Sequence, residues 1–186
     1  MAHMSDCNIT VFLIGARGAG KTSVGRLLAR TLGCHFYDTD ALICDEVGCT
    51  VAEIIERFGW DDFRRRESRA LVRATRNGCQ DGCAGRVVST GGGMVLDENN
   101  RNFMRSSGLV IFLTAPANVL FERLSRSNDV GLRPALTGMG LLPEIQSVLA
   151  EREHLYRATA HNCLDASAAL PKIVASIVRI LHRRMR

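Results

Sequence analysis

The chain has 186 residues, 46% of them hydrophobic, enough for one domain with a buried core. No window approaches the ~18 uninterrupted apolar residues that a membrane span needs, and the amino end has neither the basic nor the apolar region of a secretory leader. A net charge of +5 favours acidic partners, but its densest stretches, Arg64–Arg66 and the terminal Arg183, Arg184 and Arg186, are short and read as solvated surface rather than a nucleic-acid interface.

In chain order, a strand is predicted at Ile9–Ile14, a helix at Lys21–Leu32 and a second strand at Cys34–Tyr37. Two helical segments follow, Val51–Phe58 and Asp61–Arg76, then a strand at Arg86–Ser89 and a helix at Glu98–Ser106. The last third reads as strand Leu109–Leu113, helix Ala117–Arg126, helix Leu142–Thr159, strand Asn162–Leu164 and helix Pro171–Arg184. The strands are short apolar runs, β-branched or aromatic, bounded by turn residues. Their alternation with helices predicts an α/β fold in one domain over residues 1–186: a five-stranded parallel sheet flanked by helices. A helical insertion is expected at about 38–76.

Between the helices, Ser125–Leu142 is rich in Gly, Ser and Pro, lacks an apolar period and contains Arg126 and Arg133. Such a segment is expected to be a mobile lid, the alternative being an inert surface loop. Seven cysteines are scattered along the chain. Cys79 and Cys83 have no second Cys/His pair at zinc spacing, so the thiols are expected to be reduced, in a cytoplasmic protein.

The most specific local signal is Gly15-Ala16-Arg17-Gly18-Ala19-Gly20-Lys21-Thr22, which fits G-x-x-x-x-G-K-[ST] without a gap. Glycines let the backbone fold around phosphates with its N–H groups inward, and the following helix adds the positive end of its dipole. Lys21 would reach the β/γ-phosphates, and the Thr22 hydroxyl would meet Mg²⁺. A chance match occurs in on the order of one chain per hundred, and the strand before and helix after make chance a poor explanation here. The guanine signatures of GTPases, N-K-x-D among them, are missing, which favours ATP.

Three weaker signals surround this loop. Asp38 and Asp40 end the second strand and would point the same way if extended, one serving Mg²⁺ through its waters and the other meeting an acceptor hydroxyl. Arg64 and Glu67 stand one helical turn apart, and an arginine fork suits a carboxylate, although a surface salt bridge would read identically. Gly91-Gly92-Gly93 follows the third strand, where three glycines permit close backbone approach to a ligand or make a plain flexible turn.

In this order and spacing the elements resemble the shikimate kinase family from the phosphate loop to Pro171, most closely its second bacterial isozyme type. The resembling segments include Phe12–Gly15, Asp38–Asp40, Thr50–Ile54, Phe63-Arg64, Thr90–Gly93, Leu132–Pro134, Leu155–Arg157, and Asp165 with Pro171. The resemblance implies transfer of the ATP γ-phosphoryl group to the 3-hydroxyl of shikimate, with Mg²⁺, in a monomer that engages neither membrane nor nucleic acid. It implies Lys21 on the γ-phosphate, Thr22 and Asp38 at Mg²⁺, and Asp40 on the acceptor hydroxyls. It further implies Arg64 and Arg157 on the shikimate carboxylate, Gly91–Gly93 against its ring, Arg133 on the phosphates, and Arg126 with Pro171 at the adenine. Since an ordinary aspartate is a poor base for an alcohol, Asp40 is expected to orient the hydroxyl first and take its proton late. The rivals are another small-molecule P-loop kinase, for gluconate or a nucleoside monophosphate, and a non-catalytic kinase-like regulatory module.

Overall fold

A computed structural model describes residues 9–76, 85–126 and 140–184. Its sheet has inner strands whose side chains are apolar and mostly buried on both faces, flanked by two more polar edge strands. The five strands are β1 (Thr10–Ile14), β2 (His35–Asp38), β3 (Arg86–Ser89), β4 (Leu109–Thr114) and β5 (Asn162–Asp165). They pair in the order β2-β3-β1-β4-β5, and every pairing is parallel. All five residues of β1 are buried, whereas the edge strand β5 alternates between half-buried and exposed, as expected when one flank and part of one face meet water.

The helices are α1 (Lys21–Leu32), α2 (Thr39–Val47), α3 (Val51–Arg76), α4 (Glu98–Ser107), α5 (Ala117–Arg126), α6 (Leu141–Thr159) and α7 (Leu170–Arg184). Alternate strand residues feed opposite faces of the sheet. Val11, Leu13 and Ile111 pack with Leu28 of α1 and Ile177 of α7. Phe12, Val88 and Phe112 pack with Leu71 of α3, Met104 of α4 and Tyr156 of α6. A third cluster, Ile43, Val51, Ile54, Phe63 and Ala70, joins α2 to α3, so the segment between β2 and β3 has its own small core. Among the described residues no helix is long and apolar enough to cross a membrane.

One expectation changes. The stretch after Asp38 is a helix, α2, and not extended chain: the Asp38 carboxylate caps it by accepting from the backbone N–H of Asp40 and Ala41, and Gly48 closes it in the left-handed conformation. Asp38 and Asp40 therefore do not project from alternate positions of one strand. The two segments anticipated within Val51–Arg76 are both helical and meet at a kink at Gly59, where φ is 79° and ψ 169°. Of the segment 125–142 expected to be a lid, Ser125 and Arg126 complete α5 and Leu141 and Leu142 begin α6. Residues 127–139, with Arg133, and Cys79 and Cys83 lie outside the described residues.

Candidate active site

The carboxyl ends of β1, β2 and β3 open onto one cleft of about 1300 Å³, where ligands gather in open parallel sheets. The phosphate loop joins β1 to α1 at its floor. Gly15 has φ 143°, and a Cβ there would come 2.7 Å from the Leu113 carbonyl oxygen, while Gly20 caps α1 in the left-handed conformation. Side chains are excluded from both positions. Lys21 is buried and lies across the loop, its Nζ donating to the carbonyl oxygens of Gly15 at 2.8 Å and Ala16 at 2.9 Å. Thr22 Oγ1 donates to Asp38 Oδ2 at 2.8 Å, while Asp38 Oδ1 accepts from Asp40 N at 3.1 Å. One carboxylate thus joins the helix after the phosphate loop to the helix that carries Asp40.

The Gly91–Gly93 backbone runs along the boundary between this cleft and a narrower recess, both walled by Arg17 and Gly92. Gly91 N donates to the buried Thr39 Oγ1 at 2.9 Å. A Cβ on Gly91 would stand 2.5 Å from Glu67 Oε1 and 2.8 Å from Asp40 Oδ1, and one on Gly93 would overlap the Arg64 guanidinium. Gly91 and Gly93 cannot carry side chains because Glu67, Asp40 and Arg64 crowd against this backbone, whereas a Cβ on Gly92 would make only ordinary contacts.

Arg64 lies 5.2 Å above the ring of Trp60, the chain's single tryptophan, and is ion-paired with Glu67. The pair is not a surface bridge, since the Glu67 side chain is only 2% exposed. Burial pushes the Glu67 carboxyl above its ordinary range, against the opposing pull of Arg64 and then Arg152. Arg152 of α6, itself buried, faces the same recess. The recess therefore presents two guanidinium groups, Arg64 ion-paired with the buried Glu67 and Arg152 within its electrostatic reach, a setting suited to a substrate anion.

Arg152 stands where Arg157 was expected. Arg157 is over half exposed, pairs with Glu153 at 2.6 Å and lies 6.0 Å from the Phe112 ring, away from Arg64. The reason is helical geometry: Arg152 and Tyr156 are one turn apart on the face of α6 that meets the sheet, and the next residue is rotated by about 100°. A sequence signal for this existed. Ile145, Arg152, Tyr156 and Thr159 form the buried stripe of α6, so Arg152 occupies a core register. Glu67 does the same in α3, between Phe63 and Ala70.

A similar exchange occurs at the far end of the cleft. Arg126 is 82% exposed and pairs with Glu122 at 3.7 Å, whereas Arg123, one turn earlier, lines the cleft. Arg123 donates to the carbonyl oxygens of Gly18 at 3.4 Å and Ala166 at 2.6 Å, tying the phosphate loop to the turn after β5. Pro171 is exposed in the first turn of α7, and its neighbours Leu170 and Ile173 form the apolar wall there.

A family model described as shikimate kinase matches residues 17–182. The chain is 46% identical over 175 residues to shikimate kinase 2 of Syntrophotalea carbinolica, covering 94% of this chain and 98% of that one. It is 48% identical to shikimate kinase 2 of Yersinia enterocolitica, covering 92% and 95%. Among solved structures, shikimate kinase from Acinetobacter baumannii in complex with shikimate superposes with a TM-score of 0.84 at 30% identity, covering 95% and 94%. A gluconokinase from Sinorhizobium meliloti, 21% identical with a TM-score of 0.59 and covering 96% and 98%, shares the fold alone. On the joint strength of the phosphate loop, the glycine wall and these relatives, the chain belongs to the shikimate kinase family.

Proposed function

We infer that this enzyme transfers the γ-phosphoryl group of ATP to the 3-hydroxyl of shikimate, releasing ADP and shikimate 3-phosphate. The observation that carries this reading is the shared glycine wall. On one side lies the phosphate loop, on the other a recess with Arg64 and Arg152, and the Asp40 carboxylate lies against Gly91 between them. An acceptor whose carboxylate is gripped by the two arginines presents its ring to the glycine backbone and its hydroxyls toward Asp40.

Phosphoryl transfer passes through a loose transition state, so positioning and charge neutralisation supply most of the catalysis. Lys21, which lies across the phosphate loop, would move from the Gly15 and Ala16 carbonyl oxygens onto the β/γ-phosphates. Asp40 orients the attacking hydroxyl and takes its proton late. Arg64 needs no reorganisation on binding, because Glu67 and the Trp60 ring already hold it. Arg152 replaces Arg157 as the second carboxylate ligand. Arg123 braces the nucleotide end from below, and Arg133 is assigned to the phosphates on sequence grounds.

Thr22 and Asp38 bring a hydroxyl and a carboxylate within 2.8 Å at the mouth of the loop. These are hard oxygen donors of the kind Mg²⁺ prefers. Thr22 would bind the ion directly and Asp38 through its waters; bound with ATP, the ion neutralises charge on the phosphate oxygens. Phosphate loop, acceptor recess and bracing residues all come from one chain, in keeping with a single kinase domain working as a monomer. The free thiols of Cys34, Cys44, Cys49 and Cys163 suit the reducing cytoplasm.

The test is ADP release followed in a coupled assay with shikimate, gluconate and AMP offered separately. Turnover is expected with shikimate. Turnover with gluconate or AMP and none with shikimate would overturn the reading, and nucleotide binding without turnover on any acceptor would favour a regulatory module.

A further inference from the structure

The glycine wall has no side chains with which to anchor itself, so whatever holds its backbone also sets the shape of the acceptor recess. Gly91 is tied to Thr39 of α2, and the turn continues through Met94 N to Gly91 O and Leu96 N to Gly93 O. The middle residue is tied from the opposite wall: the Tyr156 hydroxyl of α6 donates to the Gly92 carbonyl oxygen at 2.5 Å.

Three features make this contact a rigid strut. The Tyr156 side chain is 1% exposed. Its ring stacks on Phe112 of β4, with centroids 5.0 Å apart and planes 23° from parallel, which fixes the ring against the sheet. The same helix carries Arg152 about one turn earlier in the chain, facing the recess together with Tyr156. The distance from Arg152 to the glycine backbone is thereby referred to one hydrogen bond.

We propose that Tyr156 is a positioning residue for the acceptor: by bonding Gly92 from α6 it sets the spacing between Arg152 and the Gly91–Gly93 backbone, and so the fit of a six-membered-ring carboxylate in the recess. Burial raises the phenol to about 12, with Arg152 pulling the other way, so the hydroxyl stays a donor throughout the working pH range. A merely structural tyrosine at the sheet–helix interface would affect nucleotide and acceptor alike. A strut from the acceptor recess affects the acceptor far more than the nucleotide, because Tyr156 and Arg152 line the recess and not the nucleotide cleft.

The inference rests on the recess being the shikimate site, and Tyr156→Phe tests it while keeping the ring stacked on Phe112. Steady-state kinetics should show the shikimate KM raised about fivefold to tenfold, the range for one lost buried hydrogen bond, with the ATP KM unchanged and kcat within about twofold. Shikimate added without ATP should change the fluorescence of Trp60, which lines the recess, and the midpoint of that titration should rise by the same factor. The titration reads binding without turnover. An unchanged shikimate KM and midpoint in Tyr156→Phe would overturn the proposal. So would equal rises in both KM values, which mark a structural role. If the wild-type protein itself neither responds to shikimate in fluorescence nor phosphorylates it, the assignment of the recess fails instead.

Discussion

Replacing Arg152 by alanine, beside the same change at Arg157, separates two residues only five positions apart. Arg152 is 8% exposed and faces the recess with Arg64. A charge-assisted hydrogen bond to a substrate carboxylate contributes about 1.5–3 kcal/mol, which corresponds to roughly a tenfold to hundredfold rise in shikimate KM for Arg152→Ala. Its recess meets the phosphate loop at Ala16 and Arg17, on the side away from Lys21 and Thr22 that line the larger cleft, so the ATP KM should change far less than the shikimate KM. Some stability should be lost as well, because Glu67 keeps its buried charge with one fewer arginine beside it. Arg157 and Glu153 are 56% and 45% exposed, and such pairs contribute ~0–1 kcal/mol. Arg157→Ala should therefore leave both KM values within about twofold. The assay is coupled ADP release at saturating partner substrate, with the Trp60 fluorescence titration giving shikimate affinity independently. A shikimate KM more sensitive to Arg157 than to Arg152 would refute the placement of the recess on the buried face of α6.

Three further outcomes are expected. Lys21→Met should lower turnover by about a hundredfold or more with the melting temperature nearly unchanged, since one preorganised charge on the transferred group is worth that much; a variant keeping more than about a tenth of the rate would remove Lys21 from the phosphates. Gly93→Ala should raise the shikimate KM and spare the ATP KM, because its Cβ would overlap the Arg64 guanidinium and push it from its seat on Trp60; equal effects on both substrates would mean that the loop as a whole had moved. For Glu67 the pH dependence has a defined sign. Its folded carboxyl lies above the ordinary 4.5 because burial outweighs Arg64 and Arg152, so its contribution to stability is greatest below the unfolded value and declines as pH rises through the folded one. Thermal melts from pH 4.5 to neutrality should show the wild type losing stability relative to Glu67→Gln as pH rises; a relative gain would mean that the two arginines outweigh burial.

The parts legible in sequence were those whose physics is local. The phosphate loop is eight contiguous residues whose glycines and lysine do their work within one strand–turn–helix, and the strands announce themselves as short β-branched runs between turn residues. The break within α3 was visible for the same reason, since Gly59 and its neighbours interrupt the helical period. The start of α2 was missed because its cap, Asp38, is also the last residue of β2, and a strand end and a helix cap use the same residue type.

Which of two neighbouring arginines faces the cleft or the recess is decided by tertiary structure. Arg152 and Arg157, or Arg123 and Arg126, differ by less than two turns and are chemically the same. Which of each pair reaches the site depends on the face that α6 or α5 turns toward the sheet. That orientation follows from packing Tyr156 onto Phe112 and Leu120 beside the phosphate loop, contacts made across 44 residues of chain or more in the first case and about a hundred in the second. Motif spacing along the chain specifies which groups exist. Docking of a helix face specifies which of them share a recess, because a rotation of one residue position, about 100°, moves a side chain from the core to water.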